Sequence, residues 1–315
     1  MSFPKVSVIV PNYNHANHLR QRIDSVLKQT YGNFEVIILD DCSTDGSQEV
    51  IKEYAERPSV REVVLNATNS GNPFKQWSRG IELAQGEWVW IAESDDFADL
   101  DFLQEMVAAI GNKKNVGLVY CDSYVVNGDA VSTESFALIK NKKCNTDRWS
   151  SDYYNHGSDE IENYLLPDGT INNSSAVLFN KATLKMSNPF DLNLRYIGDK
   201  YAFIKVLVSS DVVYVNRPLN YYRDPFNYKH ADRFILYFYE QFLVFDWVYR
   251  NMQLTNRSKF FKGFYSNTRN SLFRDWSISK IRIYQKLFRT NSYLFLKSIL
   301  FNFWQGVVSI FTRTS

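Results

Sequence analysis

The sequence predicts an α/β domain in which a mainly parallel sheet is flanked by helices, followed by a C-terminal helical extension. Short β-branched runs alternate with segments of helical apolar spacing from residue 6 to about residue 216, and this alternation is typical of strand–helix–strand units. After about residue 230 the pattern becomes helical and aromatic, with no strand signal. We therefore expect one domain over residues 1–230 and a basic, aromatic-rich helical region over residues 231–315.

The first strand is expected at residues 6–10, where the run VSVIV is apolar and β-branched, and Pro11 and Asn12 close it. Residues 16–30 come next, with the apolar spacing of a helix. Further strands are predicted at 34–41, 61–67, 86–96 and 116–126. Further helices are predicted at 43–57, 74–85 and 101–112. Right-handed crossovers between parallel strands would bring the carboxyl ends of these strands to one edge of the sheet.

The next part of the chain is less regular. Residues 138–160 are polar and are predicted to form a loop or an insertion. Strand and helix signals return at 174–184. A helix is then predicted at 199–210 and a strand at 211–216, which extends the α/β pattern almost to the expected boundary.

The net charge of +2 hides a strong asymmetry. Residues 247–315 contain 12 Lys and Arg residues and a single acid, Asp275, whereas the rest of the chain has 24 basic residues and 33 acids. Such a split suggests that the C-terminal part meets an anionic surface. The three cysteines show no metal-ligand spacing, which favours a reducing compartment. Because the first residues lead directly into a strand, no signal peptide is expected.

Carboxylates cluster at the predicted strand ends, at Asp40 and Asp41 and again at Glu93, Asp95 and Asp96. Ligands of open α/β sheets bind outside the carboxyl ends of the strands, so we expect these side chains to face one crevice. The sequence contains neither a GxGxxG fingerprint nor a P-loop motif, which disfavours the usual phosphate-binding loops. A divalent cation, Mn²⁺ or Mg²⁺, would reconcile the acids with a bound diphosphate.

Four segments together resemble family 2 glycosyltransferases of the GT-A fold, which is Rossmann-like. The first two are VSVIVPNYNHANHLRQRIDSVLKQTYGNFEVIILDDCSTDGS (6–47) and NSGNPFKQWSRGIELAQGEWVWIAESDDF (69–97). The other two are NPFDLNLRYIGDKYAFIKVL (188–207) and RPLNYYR (217–223). The resemblance covers about residues 4–230, and the motifs are specific as an ordered set.

The resemblance implies roles for particular residues. Asp41 matches the aspartate that hydrogen-bonds the nucleotide base, usually uracil, and Pro11 and Tyr13 line that pocket. Glu93 and Asp95 stand at the two acidic positions of the family's Asp-x-Asp motif, where Glu93 replaces the usual aspartate. Asp95 would hold the metal, and Glu93 would contact the ribose or a metal-bound water.

The later motifs imply a base and a phosphate contact. Asp199 matches the aspartate that acts as general base, and Arg223 falls in the tyrosine–arginine motif that closes over the diphosphate. Gly198 replaces a glutamate that often precedes the base. The family's frequent ARN segment is here KQWSR, so either Lys75 or Arg79 would substitute for its arginine.

The implied function is an inverting, metal-dependent transfer of a sugar from a nucleotide-sugar donor, usually a UDP-sugar, to a saccharide or lipid-linked saccharide. This chemistry needs a base for the acceptor proton and a cation for the diphosphate leaving group. The expected context is synthesis of a bacterial cell-surface polysaccharide at the cytoplasmic face of the membrane. The alternative is a catalytically inactive protein of the same fold that binds nucleotide-sugar or carbohydrate.

Several of these residues also have structural explanations. Asp40 and Asp41 could cap the helix that comes after them, and Asp96 could cap the next one. Asp199 could be a first-turn carboxylate that the helix dipole favours. Arg223 could form a surface ion pair.

Aromatic and small polar residues leave further alternatives open. Three tryptophans are expected in the core rather than at a sugar: Trp77, Trp88 and Trp90. Three aromatic residues in the polar segment are candidates for stacking on the acceptor: Trp149, Tyr153 and Tyr154. The stretch 172–175 would either contact donor sugar or acceptor, or simply form a turn.

The end of the chain is predicted to form an amphipathic helix from Tyr293 to Phe311. Its apolar positions have helical spacing and are 293, 296, 300, 303, 304, 307 and 311. Since no acid occurs among residues 277–315, we expect this region to rest on a membrane surface. Packing on the catalytic domain or on a second subunit, in an oligomer, is the alternative. No nucleic acid is expected, because the apolar face is too wide for a phosphate-tracking groove.

Overall fold

The structure is a computed structural model that describes residues 4–128, 130–190, 194–223, 231–269 and 278–311. It divides into two compact units. The first comprises Met1–Glu160, Ile171–Asn193 and Ala202–Pro225. The second comprises Ile161–Thr170, Leu194–Tyr201 and Phe226–Ser315. The domain boundary near residue 230 is a different division and stays a prediction.

The first unit is built on a sheet of ten described strands. In chain order these are β1 (Val6–Asn12), β2 (Phe34–Asp40), β3 (Val60–Leu65), β4 (Trp88–Ile91), β5 (Phe97–Ala98), β6 (Val116–Asn127), β7 (Ala130–Ser135), β8 (Tyr153–Asn155), β9 (Val177–Asn180) and β10 (Asp211–Arg223). The order across the sheet is β3-β2-β1-β4-β9-β6-β10-β5, while β7 pairs with β6 and β8 with β10.

Strands β3, β2, β1 and β4 are parallel, and Val8 lies opposite both Val36 and Trp90. Every residue of β1 and β4 is buried, as expected for parallel strands covered on both faces. Strand β9 then enters antiparallel to its neighbours β4 and β6. The sheet is therefore mixed, and its parallel half is the part that the strand–helix alternation predicts.

Nine α-helices lie between residues 16 and 207 in the part of the chain that the structure describes. They are α1 (Ala16–Leu27), α2 (Ser47–Lys52), α3 (Pro73–Leu83), α4 (Phe102–Ile110), α5 (Phe136–Cys144), α6 (Gly157–Glu160), α7 (Leu166–Asp168), α8 (Lys181–Ser187) and α9 (Gly198–Leu207). A single π-helical turn, Ile161–Leu165, joins α6 to α7.

Two predicted segments differ from the structure. The helix expected at 43–57 is only the short α2, because the Asp45 side chain accepts hydrogen bonds from the main chain of Ala16 and Ser47 and fixes the preceding residues as a turn. The segment 138–160 is not a loop, since it contains most of α5 and the strand β8, which pairs with β10.

The second unit contains four longer helices: α10 (Ala231–Asn251), α11 (Arg257–Arg269), α12 (Ile278–Thr290) and α13 (Ser292–Phe311). Their core is aromatic, with the Phe245 ring 5.5 Å from Phe260 and 5.3 Å from Phe264. The Glu162 carboxylate accepts main-chain hydrogen bonds from Thr255 and Asn256 just before α11 begins. Within the described residues, no helix is both long and apolar enough to cross a membrane.

Helix α3 lies against the central strand β1 through a glycine. Asn72 caps it, with Oδ1 accepting from Phe74 N at 2.9 Å, and Pro73 occupies its first position. A Cβ placed on Gly80 would lie 2.4 Å from the Ile9 side chain. No larger residue fits between this helix and the sheet without moving one of them.

We expect Gly80→Ala to destabilise the protein by about 1–3 kcal/mol, because over-packing a close contact strains the core. Helix propensity alone would act in the opposite direction, stabilising by about 1 kcal/mol. Urea unfolding measures the difference, and Gly32→Ala is the control because a Cβ there meets no atom within 4 Å. A Gly80→Ala protein as stable as wild type would contradict the close contact.

Candidate active site

A cavity of about 350 Å³ opens at the carboxyl ends of β1, β2 and β4. Among the side chains that line it are four that the sequence singled out, namely Pro11, Tyr13, Asp41 and Glu93. We call this space the strand-end cavity. It lies where the topology of an open α/β sheet places a ligand.

Asp41 is anchored in the wall of the cavity by a ring of donors. Its Oδ1 accepts hydrogen bonds from Asn66 Nδ2, Ser70 N and Gln76 Nε2 at 2.7–2.9 Å. Its Oδ2 accepts one from Ser70 Oγ at 2.7 Å. None of these donors is charged, and Oδ2, which accepts a single hydrogen bond from the described residues, keeps a lone pair for a ligand.

The neighbouring Asp40 has a structural role. It is fully buried, and its carboxylate accepts hydrogen bonds from Asn12 Nδ2, from both the main chain and the hydroxyl of Ser43, and from Gln48 Nε2. These contacts tie the end of β1 to the turn after β2. The two adjacent aspartates thus separate into one that holds the turn and one that faces the cavity.

The segment after β4 carries an acidic cluster, which we define as Glu93, Asp95 and Asp96. Burial and the nearby Asp95 carboxylate raise the pKa of Glu93 to about 8, although Trp77 Nε1 donates to its Oε1 at 2.7 Å. The same two causes raise the pKa of Asp96 to about 7. Among the described residues, no side chain or main-chain donor binds the Asp95 carboxylate. Ionising all three carboxyls together is therefore costly unless a cation is bound beside them.

The buried side chain of Arg22 contacts this cluster and brings a positive charge to it. The sequence motifs did not predict this role. The Arg22 side chain is completely buried, its Nε donates to Glu93 O at 2.8 Å, and its Nη2 lies 3.9 Å from Asp96 Oδ2. The signal was present in the sequence. Residues 19, 22, 23 and 26 form the buried stripe of α1, so Arg22 is a charged residue at a position that should be buried.

Arg223 does not form a surface ion pair. Its guanidinium donates to Asp95 O and to Gln21 Oε1, and its main-chain N donates to Asp96 Oδ1. The end of β10 is thereby bound to the acidic cluster. His18 lies near both Arg223 and Asp95. Burial lowers the pKa of His18, the positive charge of Arg223 lowers it further, and the Asp95 carboxylate raises it.

Residues 172–175, which come just before β9, contact the segment that carries the acidic cluster. Ser175 is fully buried, its Oγ accepts from Glu93 N at 3.2 Å, and its carbonyl accepts from Trp90 Nε1 at 2.8 Å. Asn173 Oδ1 caps the turn by accepting from Ala176 N. Turn formation and support of the acidic segment explain this stretch.

Asp199 lies in the second unit, in the first turn of α9. Its Oδ1 accepts from the main-chain N of Lys200 at 2.7 Å. Burial raises its pKa to about 6, and the hydrogen bond from Lys200 opposes this rise. The predicted roles of Asp199, Asp41, Glu93, Asp95 and Arg223 are not tested by these positions.

The remaining basic and aromatic residues that the sequence singled out are buried or have partners of their own. Lys75 Nζ donates to Ser70 O, and Arg79 pairs with Glu82 at the surface. Three core tryptophans are confirmed as buried: Trp77, Trp88 and Trp90. Trp149 is also buried, with Nε1 donating to Tyr120 OH, so the expectation that it stacks on an acceptor is wrong. Tyr154 remains exposed and donates to Asp211.

The acidic cluster fits a divalent cation in its chemistry. Its ligand atoms are carboxylate oxygens, which Mg²⁺ and Mn²⁺ prefer, and a cation would lower the cost of ionising the three carboxyls. The described residues hold no group of three or more His, Cys, Asp or Glu side chains arranged for a metal ion. Such a cation would therefore take part of its ligands from a phosphate, as Mg²⁺ often does.

The mixed sheet and its flanking helices form a GT-A fold, with a cavity at the strand ends that Asp41 and Glu93 line. The chain belongs to glycosyl transferase family 2, whose family model matches residues 7–170. The resemblance seen in the sequence motifs is confirmed.

Two named relatives show where the chain stands in the family. It is 32% identical over 134 residues to the poly(ribitol-phosphate) beta-N-acetylglucosaminyltransferase TarS of Staphylococcus aureus, covering 42% of this chain and 23% of TarS. It is 36% identical over 104 residues to the putative teichuronic acid biosynthesis glycosyltransferase TuaG of Bacillus subtilis, covering 33% of this chain and 41% of TuaG. The chain thus matches less than half the length of these relatives.

Solved structures agree on the fold. The structure of TarS 1–349 in complex with UDP-GlcNAc gives a TM-score of 0.67 at 20% identity, covering 91% of this chain and 81% of that one. The mannosyltransferase PcManGT from Pyrobaculum calidifontis, in complex with GDP-Man and Mn²⁺, gives 0.58 at 16% identity, covering 97% and 88%. At these identities the likeness is one of fold.

The raised pKa of Glu93 predicts a pH-dependent stability. Because that pKa is about 8 in the folded protein against an ordinary 4.5, the folded state keeps a proton that the unfolded state releases. Stability is therefore lost as pH rises between these two values. We expect Glu93→Gln, which can still accept from Trp77, to be stabilised relative to wild type, increasingly so from about pH 5 to about pH 8.

Thermal unfolding across this pH range, without divalent cations, measures the difference. Glu82→Gln is the matched control, because Glu82 is exposed and its substitution should leave the pH dependence unchanged. Parallel pH profiles for Glu93→Gln and wild type would show that the Glu93 carboxyl is not held in its protonated form.

Proposed function

We propose that this chain is an inverting glycosyltransferase that moves a sugar from a UDP-sugar to a hydroxyl of a saccharide or lipid-linked saccharide. One observation carries the proposal: Asp41 and Glu93, which come from different strands, line the same 350 Å³ cavity. Asp41, a carboxylate with uncharged partners, lines this cavity together with Glu93, which belongs to the desolvated acidic cluster. A nucleoside diphosphate bridged by a cation complements both.

The base of the nucleotide would bind at Asp41. The imide N–H of uracil is a donor, and within the described residues Asp41 Oδ2 accepts a single hydrogen bond, from Ser70 Oγ. Tyr13, whose side chain is 47% exposed, offers an aromatic face at the same cavity for stacking. Both features support uridine as the nucleoside.

The diphosphate would lie toward the acidic cluster. Asp95 would hold a divalent cation together with phosphate oxygens, and Glu93 would contact the ribose or a bound water. The cation would supply charge stabilisation for the departing diphosphate. Arg22 and Arg223 fix the segment that carries Asp95, because both donate to its main-chain carbonyls, and Arg223 lies where it can turn toward a phosphate.

Asp199 is the proposed general base. With a pKa of about 6, its carboxylate is ionised at neutral pH and basic enough to take the proton of the acceptor hydroxyl as that oxygen attacks the anomeric carbon. One base suffices for a single displacement, which inverts the anomeric configuration. The names of TarS and TuaG support an acceptor that belongs to a bacterial cell-surface polysaccharide.

We expect Asp199→Asn to lower kcat by about two to four orders of magnitude, because the amide keeps the size of the side chain but removes its basicity. Wild-type kcat/KM should fall as pH decreases through about 6, the pKa of Asp199. UDP affinity, measured by calorimetry with Mn²⁺ present, should be unchanged in the variant. Product NMR that shows a retained anomeric configuration would rule out the single displacement.

The proposed preference for uracil as the nucleotide base can be tested by replacing one oxygen of Asp41 with an NH₂ group. Asp41→Asn keeps an oxygen for Asn66, Ser70 N and Gln76 but places an NH₂ group where Oδ2 stood. Uracil N3–H and this NH₂ would then oppose each other, whereas cytosine N3 is an acceptor. We expect UDP affinity to fall about tenfold or more, while CDP affinity is kept or improved. Equal losses for both nucleotides would contradict the proposed contact.

A further inference from the structure

Helices α12 and α13 of the second unit present large apolar side chains to solvent. Ile281 and Phe288 on α12, and Tyr293, Leu296 and Leu300 on α13, are 45–65% exposed. We call these five residues the outer apolar face. Single exposed leucines are ordinary, but a set of this kind on two neighbouring helices marks an interaction surface.

Helix α13 buries the polar side chain of Ser298 and exposes two leucines. Ser298 is 1% exposed and lies on the buried side with Leu294, while Leu296 and Leu300 point outward. Of the apolar stripe that the sequence predicts, Leu296 and Leu300 therefore face solvent, while the Tyr293 ring stacks on Tyr249 at 6.1 Å. The core formed by the described residues leaves these two leucines uncovered.

A groove of about 390 Å³ lies between the two helices and includes Ile281 and Phe288 of the outer apolar face. Ile281, Phe288 and Tyr284 line it from α12, and Phe295 and Ile299 from α13. Its wall is almost entirely carbon, apart from Gln285 and Arg289. Apolar chains would find a continuous contact surface here.

Basic residues flank this surface. Arg282 and Arg289 follow Ile281 and Phe288 directly on α12 and are exposed, and Arg289 also lines the groove. Lys286 is also exposed, and Lys297 lies over the Tyr293 ring at 5.4 Å. Residues 277–315 contain no acid at all, so nothing within this segment neutralises these charges.

We propose that the outer apolar face and its basic flank dock on an anionic lipid bilayer, with α12 and α13 lying along the membrane surface. Apolar side chains beside Lys and Arg are the pattern of helices that lie in the lipid interface, and the positive charge complements acidic headgroups. A second copy complements it poorly, because two-fold pairing sets the same patch against itself and opposes like charges.

The experiment is flotation of the full chain with vesicles of phosphatidylcholine mixed with phosphatidylglycerol, compared with vesicles of phosphatidylcholine alone. We expect binding to the mixed vesicles only, weakened by salt. Leu296→Asn combined with Leu300→Asn should lower the bound fraction about tenfold or more. Arg282→Gln combined with Arg289→Gln should have a comparable effect.

Leu138→Asn is the matched control, because Leu138 is an equally exposed leucine, at 48%, on α5 of the first unit. It should bind vesicles as wild type does, and all variants should keep the wild-type unfolding temperature. The proposal is overturned if wild type ignores anionic vesicles at low salt or if the leucine variant binds as well as wild type. It is also overturned if light scattering without lipid shows a dimer that the same leucine substitutions dissociate.

Discussion

Desolvation of the acidic segment after β4 is the constraint on which the candidate active site depends. Three carboxylates lie within four consecutive positions, and two of them have pKa values raised to about 8 and about 7. Carboxylates in such a place repel one another and are costly to keep charged. The buried Arg22, the indole of Trp77 and the end of β10 are all arranged to hold this segment, and none of them fully neutralises it.

The surroundings of Asp41 in the cavity are built in the opposite way. Asp41 receives four hydrogen bonds from uncharged groups between residues 66 and 76, so its position is fixed before any ligand arrives. A fixed acceptor costs little conformational entropy on binding. The cavity thus pairs a preformed hydrogen-bonding site with an electrostatically unsatisfied one, and a ligand with a base and phosphates matches this division.

Periodicity in the sequence predicts the parallel half of the sheet and the place of the cavity. The β-branched runs locate β1, β2 and β3, and strand-end topology correctly brings Asp41 and Glu93 together. Periodicity does not predict which partners a side chain chooses in three dimensions. The Asp45 side chain accepts hydrogen bonds from the main chain and so shortens α2. Trp149 is buried and donates a hydrogen bond to Tyr120. Nor does periodicity show which side of an amphipathic helix packs, so the outward position of Leu296 and Leu300 on α13 is visible only in the structure.

Helix α3 has a consequence for how Asp41 and Glu93 communicate. Gln76 donates to Asp41, and the next residue, Trp77, donates to Glu93. Gly80 seats the same helix directly on β1, so both bonds are made from one closely packed helix. If a ligand displaces this helix through Gln76, the bond to Glu93 changes as well, and protonation of Glu93 then acts on Asp41 by the same free energy. Occupancy of the cavity at Asp41 and proton uptake at Glu93 would then be linked through a single helical turn.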